Sequence, residues 1–176
     1  MIRKATLADV AAIVQTYTQL LEHEQANGST SNWQQDIYPT AQSAEQAIND
    51  GEMYVLEQNG QIVASVVLNN RQAPEYQQMP WLYAAEDNQV LVIHTLCIPP
   101  AQSGQGLATQ MLEFAKNLAQ NTNCQVIRLD TYAHNEPAKS LYQKHGFRIV
   151  GYADAMLQGL IPEELVFMEF ELPARA

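Results

Sequence analysis

The chain has 176 residues, 47% hydrophobic and 16% charged, with nine Lys and Arg against 19 Asp and Glu for a formal net charge of −10. That length favours one domain, residues 1–176, with a real core. The acidic balance argues against nucleic acid, whose phosphates need a basic footprint, and no apolar run approaches the roughly 20 residues that span a bilayer.

Met1–Thr6 lacks the apolar stretch of a signal peptide, so a cytoplasmic protein with no membrane partner is expected. Cys97 and Cys124 form no CxxC pair, and no His/Cys cluster has ligand spacing, so reduced thiols and no metal are expected. The net acidity suits a cationic substrate drawn by the overall field, or simply keeps the protein soluble.

In chain order, Ile2–Ala5 reads as a short strand. Thr6 and Asp9 form a capping-box pattern, with Asp in place of Glu or Gln. Val10, Ile13, Val14, Tyr17, Leu20 and Leu21 then recur at helical spacing, with an end expected near Glu24 and a loop over Gln25–Ser31. A second helix starts near Ser43 and stops near Gly51. Met53–Leu56 and Ile62–Leu68 flank Asn59-Gly60, a strong hairpin signal. Asn70–Asn88 reads as a long surface loop.

Val90–Ile98 is a near-continuous apolar run, the mark of a strand buried on both faces. Leu107, Met111, Ala115 and Leu118 define a third helix, and Cys124–Tyr132 alternates as a strand. Ala138, Leu141, Tyr142 and His145 share a face of a fourth helix, with Pro137 in its first turn and Gly146 at its stop. Phe147–Tyr152 and Leu165–Leu172 close the fold. The order β-α-α-β-β-β-α-β-α-β-β implies a layered α/β or α+β domain with a mixed sheet.

The most informative segment is Ile98-Pro99-Pro100-Ala101-Gln102-Ser103-Gly104-Gln105-Gly106-Leu107-Ala108. A buried strand ends, two prolines fix the chain, and a Gly-rich turn opens a helix. First-turn amides lack internal partners and, with the helix dipole, form an anion site. Glycines let backbone approach a pyrophosphate, and Ala108 keeps the approach open. The plainer reading is a helix-start turn. Neither a P-loop nor a dinucleotide fingerprint fits.

Ser103-Gly104-Gln105-Gly106-Leu107-Ala108 resembles the Arg/Gln-x-x-Gly-x-Gly/Ala acetyl-CoA loop of the GNAT acetyltransferases, and Asn135–Phe147 resembles their Asn-x-x-Ala-x-x-Leu-Tyr-x-x-x-Gly-Phe signature. Ile2–Asp9 is similar to the family's opening, so the resemblance covers nearly the whole chain. It implies an α/β (α+β) fold with a mixed, mostly antiparallel sheet of about six to seven strands and helices on both faces. It also implies an N-acetyltransferase using acetyl-CoA as co-substrate, by direct attack of an amine. The alternative is a non-catalytic acetyl-CoA-binding module. Ser103 stands where the family has Arg or Gln, which shifts the load to backbone amides, Ser103's included.

The resemblance makes Tyr142 the donor to the departing thiol, against a plain core tyrosine. Asn135 becomes a contact to the pantetheine arm, against a plain helix cap, with Ala138 admitting the cofactor. Leu96, Cys97 and Ile98 are implied to offer backbone rather than the thiol. The family's strand carboxylate is absent, so His94 is the candidate base, against an ordinary strand histidine; Asp130 and Glu164 are outside candidates. Trp33, Tyr38 and Trp81 are candidates to box a cationic acceptor, against simple packing. An acidic surface leans toward a polyamine, an aminoglycoside-like compound or a basic peptide. Exposed closing strands allow a homodimer.

Overall fold

The computed structural model describes residues 1–174. The expected elements are found in the expected order: β1 (Ile2–Lys4), α1 (Val10–Asn27), α2 (Ala41–Asn49), β2 (Met53–Gln58), β3 (Gln61–Asn69), β4 (Val90–Cys97), α3 (Leu107–Asn121), β5 (Val126–Tyr132), α4 (Glu136–Lys144), β6 (Arg148–Leu157) and β7 (Ile161–Glu171). The seven strands form one sheet in the order β1-β2-β3-β4-β5-β7-β6. β4 and β5 run parallel, whereas the β1–β2, β2–β3, β5–β7 and β6–β7 pairs are antiparallel. The expected mixed, mostly antiparallel sheet is therefore present.

The chain divides into two compact units, the first comprising Met1–Leu68 and His94–Met111. Its core joins Ala5, Ile13, Tyr17, Ala44, Ala47, Met53, Val55 and Cys97. The capping box opens it as expected: Asp9 Oδ2 accepts from the Thr6 amide at 2.7 Å. Arg3 then grips the same carboxylate with both terminal nitrogens, at 2.8 and 3.0 Å. These bonds hold the Asp9 carboxyl down to about 2, below the usual ~3.9. A depressed carboxylate contributes stability above its unfolded pKa and loses it as pH falls through the folded one. Asp9→Ala is thus expected to cost about 1 kcal/mol at pH 7. It should also flatten the loss of stability between about pH 4 and pH 2, as read by urea melts across pH.

α1 runs past Glu24 to Asn27 and stops where the Gly28 amide caps back on Glu24 O at 2.7 Å. The end expected near Glu24 thus falls three residues short. Glu24 is 5% exposed. Its carboxylate accepts from the amides of Thr30 and Ser31 at 3.2 and 3.0 Å and from their hydroxyls at 2.8 and 2.7 Å. One buried carboxylate therefore shapes the segment leading to Trp33. α2 begins on Thr40, whose Oγ1 accepts from the Ser43 amide. Asn59 and Gly60 both have positive φ, 53° and 75°, as a tight β2–β3 hairpin requires.

The second unit comprises Asn69–Ile93 and the chain from Leu112 onward. Tyr76, Val90, Val92, Val126 and Phe167 form its core. Residues 70–88 depart from the expected surface loop, because Tyr76 within them is only 1% exposed. Tyr76 and Trp81 stack on each other and meet Phe167 edge-on. Arg128 donates to Gln72 Oε1 and Tyr83 O at 2.7 and 2.8 Å, and Glu169 Oε1 accepts from the Leu82 amide at 2.7 Å. A segment of mixed polarity is thus held down by two charged side chains on strands. β6 and β7 form a hairpin longer than expected, from Arg148↔Glu169 to Leu157↔Ile161.

Candidate functional site

In the first unit, β4 ends in the Gly-rich turn. Thr95 takes a φ of +48° within the strand. The β4–β5 ladder runs from Val90↔Val126 to Ile93↔Leu129, and that edge of β4 pairs no further among the described residues. His94, Leu96 and Ile98 are half-buried beyond it, and Cys97 is fully buried. The Cys97 Sγ lies 3.8 Å from Thr16 Oγ1, and burial pushes its thiol up to about 12. A thiol so buried and so raised is poorly suited to nucleophilic attack.

After Pro99 and Pro100 the chain makes one 3-10 turn, in which the Ser103 amide donates to Pro100 O at 3.1 Å. This corrects one expectation, since Ser103 spends its amide inside the turn. Gly104 and Gly106 follow with φ of +76° and +73°, and a Cβ at either would meet nothing within 4 Å. The loop is therefore open, and backbone conformation rather than crowding requires its glycines. The amides of Gly104, Gln105, Gly106, Leu107 and Ala108 find no acceptor among the described residues. Five donors at the start of a long helix make a cradle for an anion.

Trp33 and Tyr38 meet edge-on, centroids 6.2 Å apart, and Trp33 packs against the core that holds Cys97. The Tyr38 hydroxyl hydrogen-bonds the Thr95 hydroxyl, next to His94. Two of the three aromatic candidates thus cluster beside the end of β4.

In the second unit, Asn135 caps α4: its Oδ1 accepts from the Ala138 amide at 3.1 Å, while its side-chain NH₂ has no partner among the described residues. Tyr142 is 6% exposed and meets Phe147 edge-on. No hydrogen bond to its hydroxyl is found among the described residues. Burial, helped by the charge of Asp130, pushes the phenol above its ordinary range. Asp130 itself accepts from the Tyr76 hydroxyl at 2.6 Å, and burial raises its carboxyl. Trp81 belongs to the second unit: its Nε1 donates to Tyr76 O, and Arg128 covers its ring at 4.3 Å. The cation that Trp81 boxes is the protein's own.

Sequence reasoning missed a groove of about 540 Å³ on the second unit, lined by Tyr132, His134, Asp154, Met156, Glu163 and Glu164 among others. Only Glu164 had been singled out. Among the described residues, no three His, Cys, Asp or Glu side chains are placed to hold a metal ion, and no helix is long and apolar enough to cross a membrane.

Residues 17–147 match the acetyltransferase (GNAT) family. The streptothricin acetyltransferase of Escherichia coli is 37% identical over 71 residues, which are 40% of this chain and 37% of that protein. The chain thus aligns with little over a third of that relative. An acetyltransferase GNAT family structure from Streptococcus agalactiae superposes with a TM-score of 0.80 at 19% identity, covering 99% of this chain and 96% of that one. The structure of yncA from Salmonella typhimurium with its cofactor acetyl-CoA gives a TM-score of 0.71 at 19% identity, over 100% of this chain and 95% of the other. At these identities the likeness is one of fold.

Proposed function

The chain belongs to the acetyltransferase (GNAT) family, and from that premise we propose that it transfers the acetyl group of acetyl-CoA to a primary amine of a small molecule or peptide, by direct attack in a ternary complex. The observation that carries this reading is the row of unpartnered amides from Gly104 to Ala108 at the start of α3. It has the chemistry to hold a pyrophosphate in a chain whose net charge of −10 would otherwise repel one. The Salmonella relative's cofactor supports the same choice.

When bound, acetyl-CoA supplies an activated acetyl thioester. The chain's residues then have three tasks. Gly104, Gln105, Gly106, Leu107 and Ala108 bind the pyrophosphate. The unpaired edge at Leu96, Cys97 and Ile98 offers backbone to the pantetheine amides, as the free NH₂ of Asn135 does. Tyr142 holds a proton for the departing sulfur, whose own pKa is near ~8.5. The acceptor nitrogen must be neutral to react, and a free alkylamine has a pKa near ~10.4. His94 is the side chain proposed to take its proton. Trp33 and Tyr38 flank the acceptor in this reading, and residues 1–176 act as one catalytic domain in the cytoplasm.

Calorimetric titration with acetyl-CoA, then CoA release across an amine panel, tests the proposal. Binding followed by turnover is expected. Absence of acetyl-CoA binding would overturn it.

A further inference from the structure

Glu24 lies on the buried side of α1, and among the described residues its charge is met by four hydrogen bonds and no ion pair. A carboxylate held out of water is costly unless donors surround it. All four donors come from Thr30 and Ser31, each giving its amide and its hydroxyl. The end of α1 needs no such residue, because the Gly28 amide already closes the helix on Glu24 O. The carboxylate therefore fixes the segment after the helix rather than the helix itself.

That segment passes the constraint on. Ser31 Oγ donates to Glu24 Oε2 at 2.7 Å and accepts from the Trp33 amide at 3.1 Å. Gln34 and Tyr38 then close on each other as an antiparallel bridge, with N–O distances of 3.2 and 3.0 Å. The Tyr38 hydroxyl bonds that of Thr95 near the end of β4, and Trp33 packs on the core that holds Cys97. Burial first, and the charge of Glu24 after it, raise the Cys97 thiol, so Glu24 lies within electrostatic reach of the same stretch of β4. Every link falls within the first unit. We propose that Glu24 is a positioning residue for the acceptor: through Ser31 it sets Trp33 and Tyr38 at the end of β4, next to His94, and so sets the enzyme's affinity for its amine. The inference rests on the acetyltransferase reading above. Glu24 itself touches no reacting atom.

Glu24→Gln keeps the size of the side chain and three of the four hydrogen bonds, because the amide oxygen can stand in for Oε1. Its NH₂ then faces the Ser31 hydroxyl and cannot accept from it, so the relay to Trp33 loosens while the core stays filled. Ser31→Ala cuts the relay from the other side, and Ser31→Thr keeps the hydroxyl. The probes are n-butylamine, benzylamine and putrescine, the fastest being carried through the variants. Glu24→Gln and Ser31→Ala should each raise the amine KM by roughly ten-fold, with kcat changed by less than about two-fold and acetyl-CoA affinity unaltered. Ser31→Thr should return KM to within about two-fold of wild type. Glu24→Gln/Ser31→Ala should be no worse than Glu24→Gln alone, since one relay is cut twice.

A second readout needs no acceptor. In proton–nitrogen correlation spectra the Trp33 indole resonance should shift in Glu24→Gln, whereas that of Trp81, bonded to Tyr76 O in the second unit, should stay. A merely structural carboxylate would lower the melting temperature and leave both KM and the Trp33 resonance in place. That result overturns the proposal, as does simple additivity of the two substitutions in KM. An unmoved Trp33 resonance overturns it with or without turnover. Absence of acetyl-CoA binding in wild type sinks the acetyltransferase reading instead, and the Trp33 resonance then still reports whether Glu24 holds the segment.

Discussion

Tyr142→Phe is expected to lower turnover by roughly ten-fold to a thousand-fold while leaving acetyl-CoA affinity nearly intact. The ring sits on the buried face of α4 against Phe147, so removing one oxygen leaves the packing in place. No hydrogen bond to its hydroxyl is found among the described residues, so the substitution breaks no internal network either. What is lost is a proton donor. The phenol is held above its ordinary range by burial and by Asp130, so it stays protonated through neutral and mildly alkaline pH. The wild-type rate should therefore show no alkaline fall from this group below about pH 10. Steady-state kinetics with a saturating amine, paired with calorimetric titration, checks both halves. An undiminished rate in the variant would remove Tyr142 from the mechanism.

Gly106→Val should act on the other half of the reaction, weakening acetyl-CoA binding by roughly 10- to 100-fold, or ~1.4–2.8 kcal/mol. Gly106 adopts a φ of +73°, where a β-branched residue is strained. Relieving that strain would turn the Gly104–Ala108 amides away from their common target. Because strain can also destabilise the fold, Ala108→Glu provides an independent approach. A carboxylate in the first turn of α3 favours the helix dipole and should preserve the melting temperature. The same charge repels a pyrophosphate. Titration showing normal acetyl-CoA affinity in both variants would displace the cofactor from this loop.

These residues were legible because their chemistry is local. Glycines at a strand-to-helix turn, and an Asn three residues before the Ala that it caps, specify geometry within one turn of chain. The parts that sequence reading missed depend on partners far along the chain. Glu24 looks like a surface residue until Thr30 and Ser31 fold back on it. Trp81 looks available to a ligand until Arg128 arrives from β5. Asp154 and Glu164 face each other only through the register of two strands, and no spacing rule fixes that register before the hairpin is built. Ser103 is a smaller case. Its side chain is unremarkable, but the turn made by Pro99 and Pro100 consumes its amide.

The tethering of residues 70–88 bears on how the second unit comes apart. Tyr76 donates to Asp130 on β5, Arg128 on β5 grips Gln72 and Tyr83, and Glu169 on β7 holds the Leu82 amide. A connection pinned at both ends and in the middle cannot peel away without uncovering buried charge on two strands. Its opening free energy is then set by the sheet rather than by the connection's own length. In amide exchange the segment should behave as part of the strands beneath it, slow where a free loop of that composition would be fast.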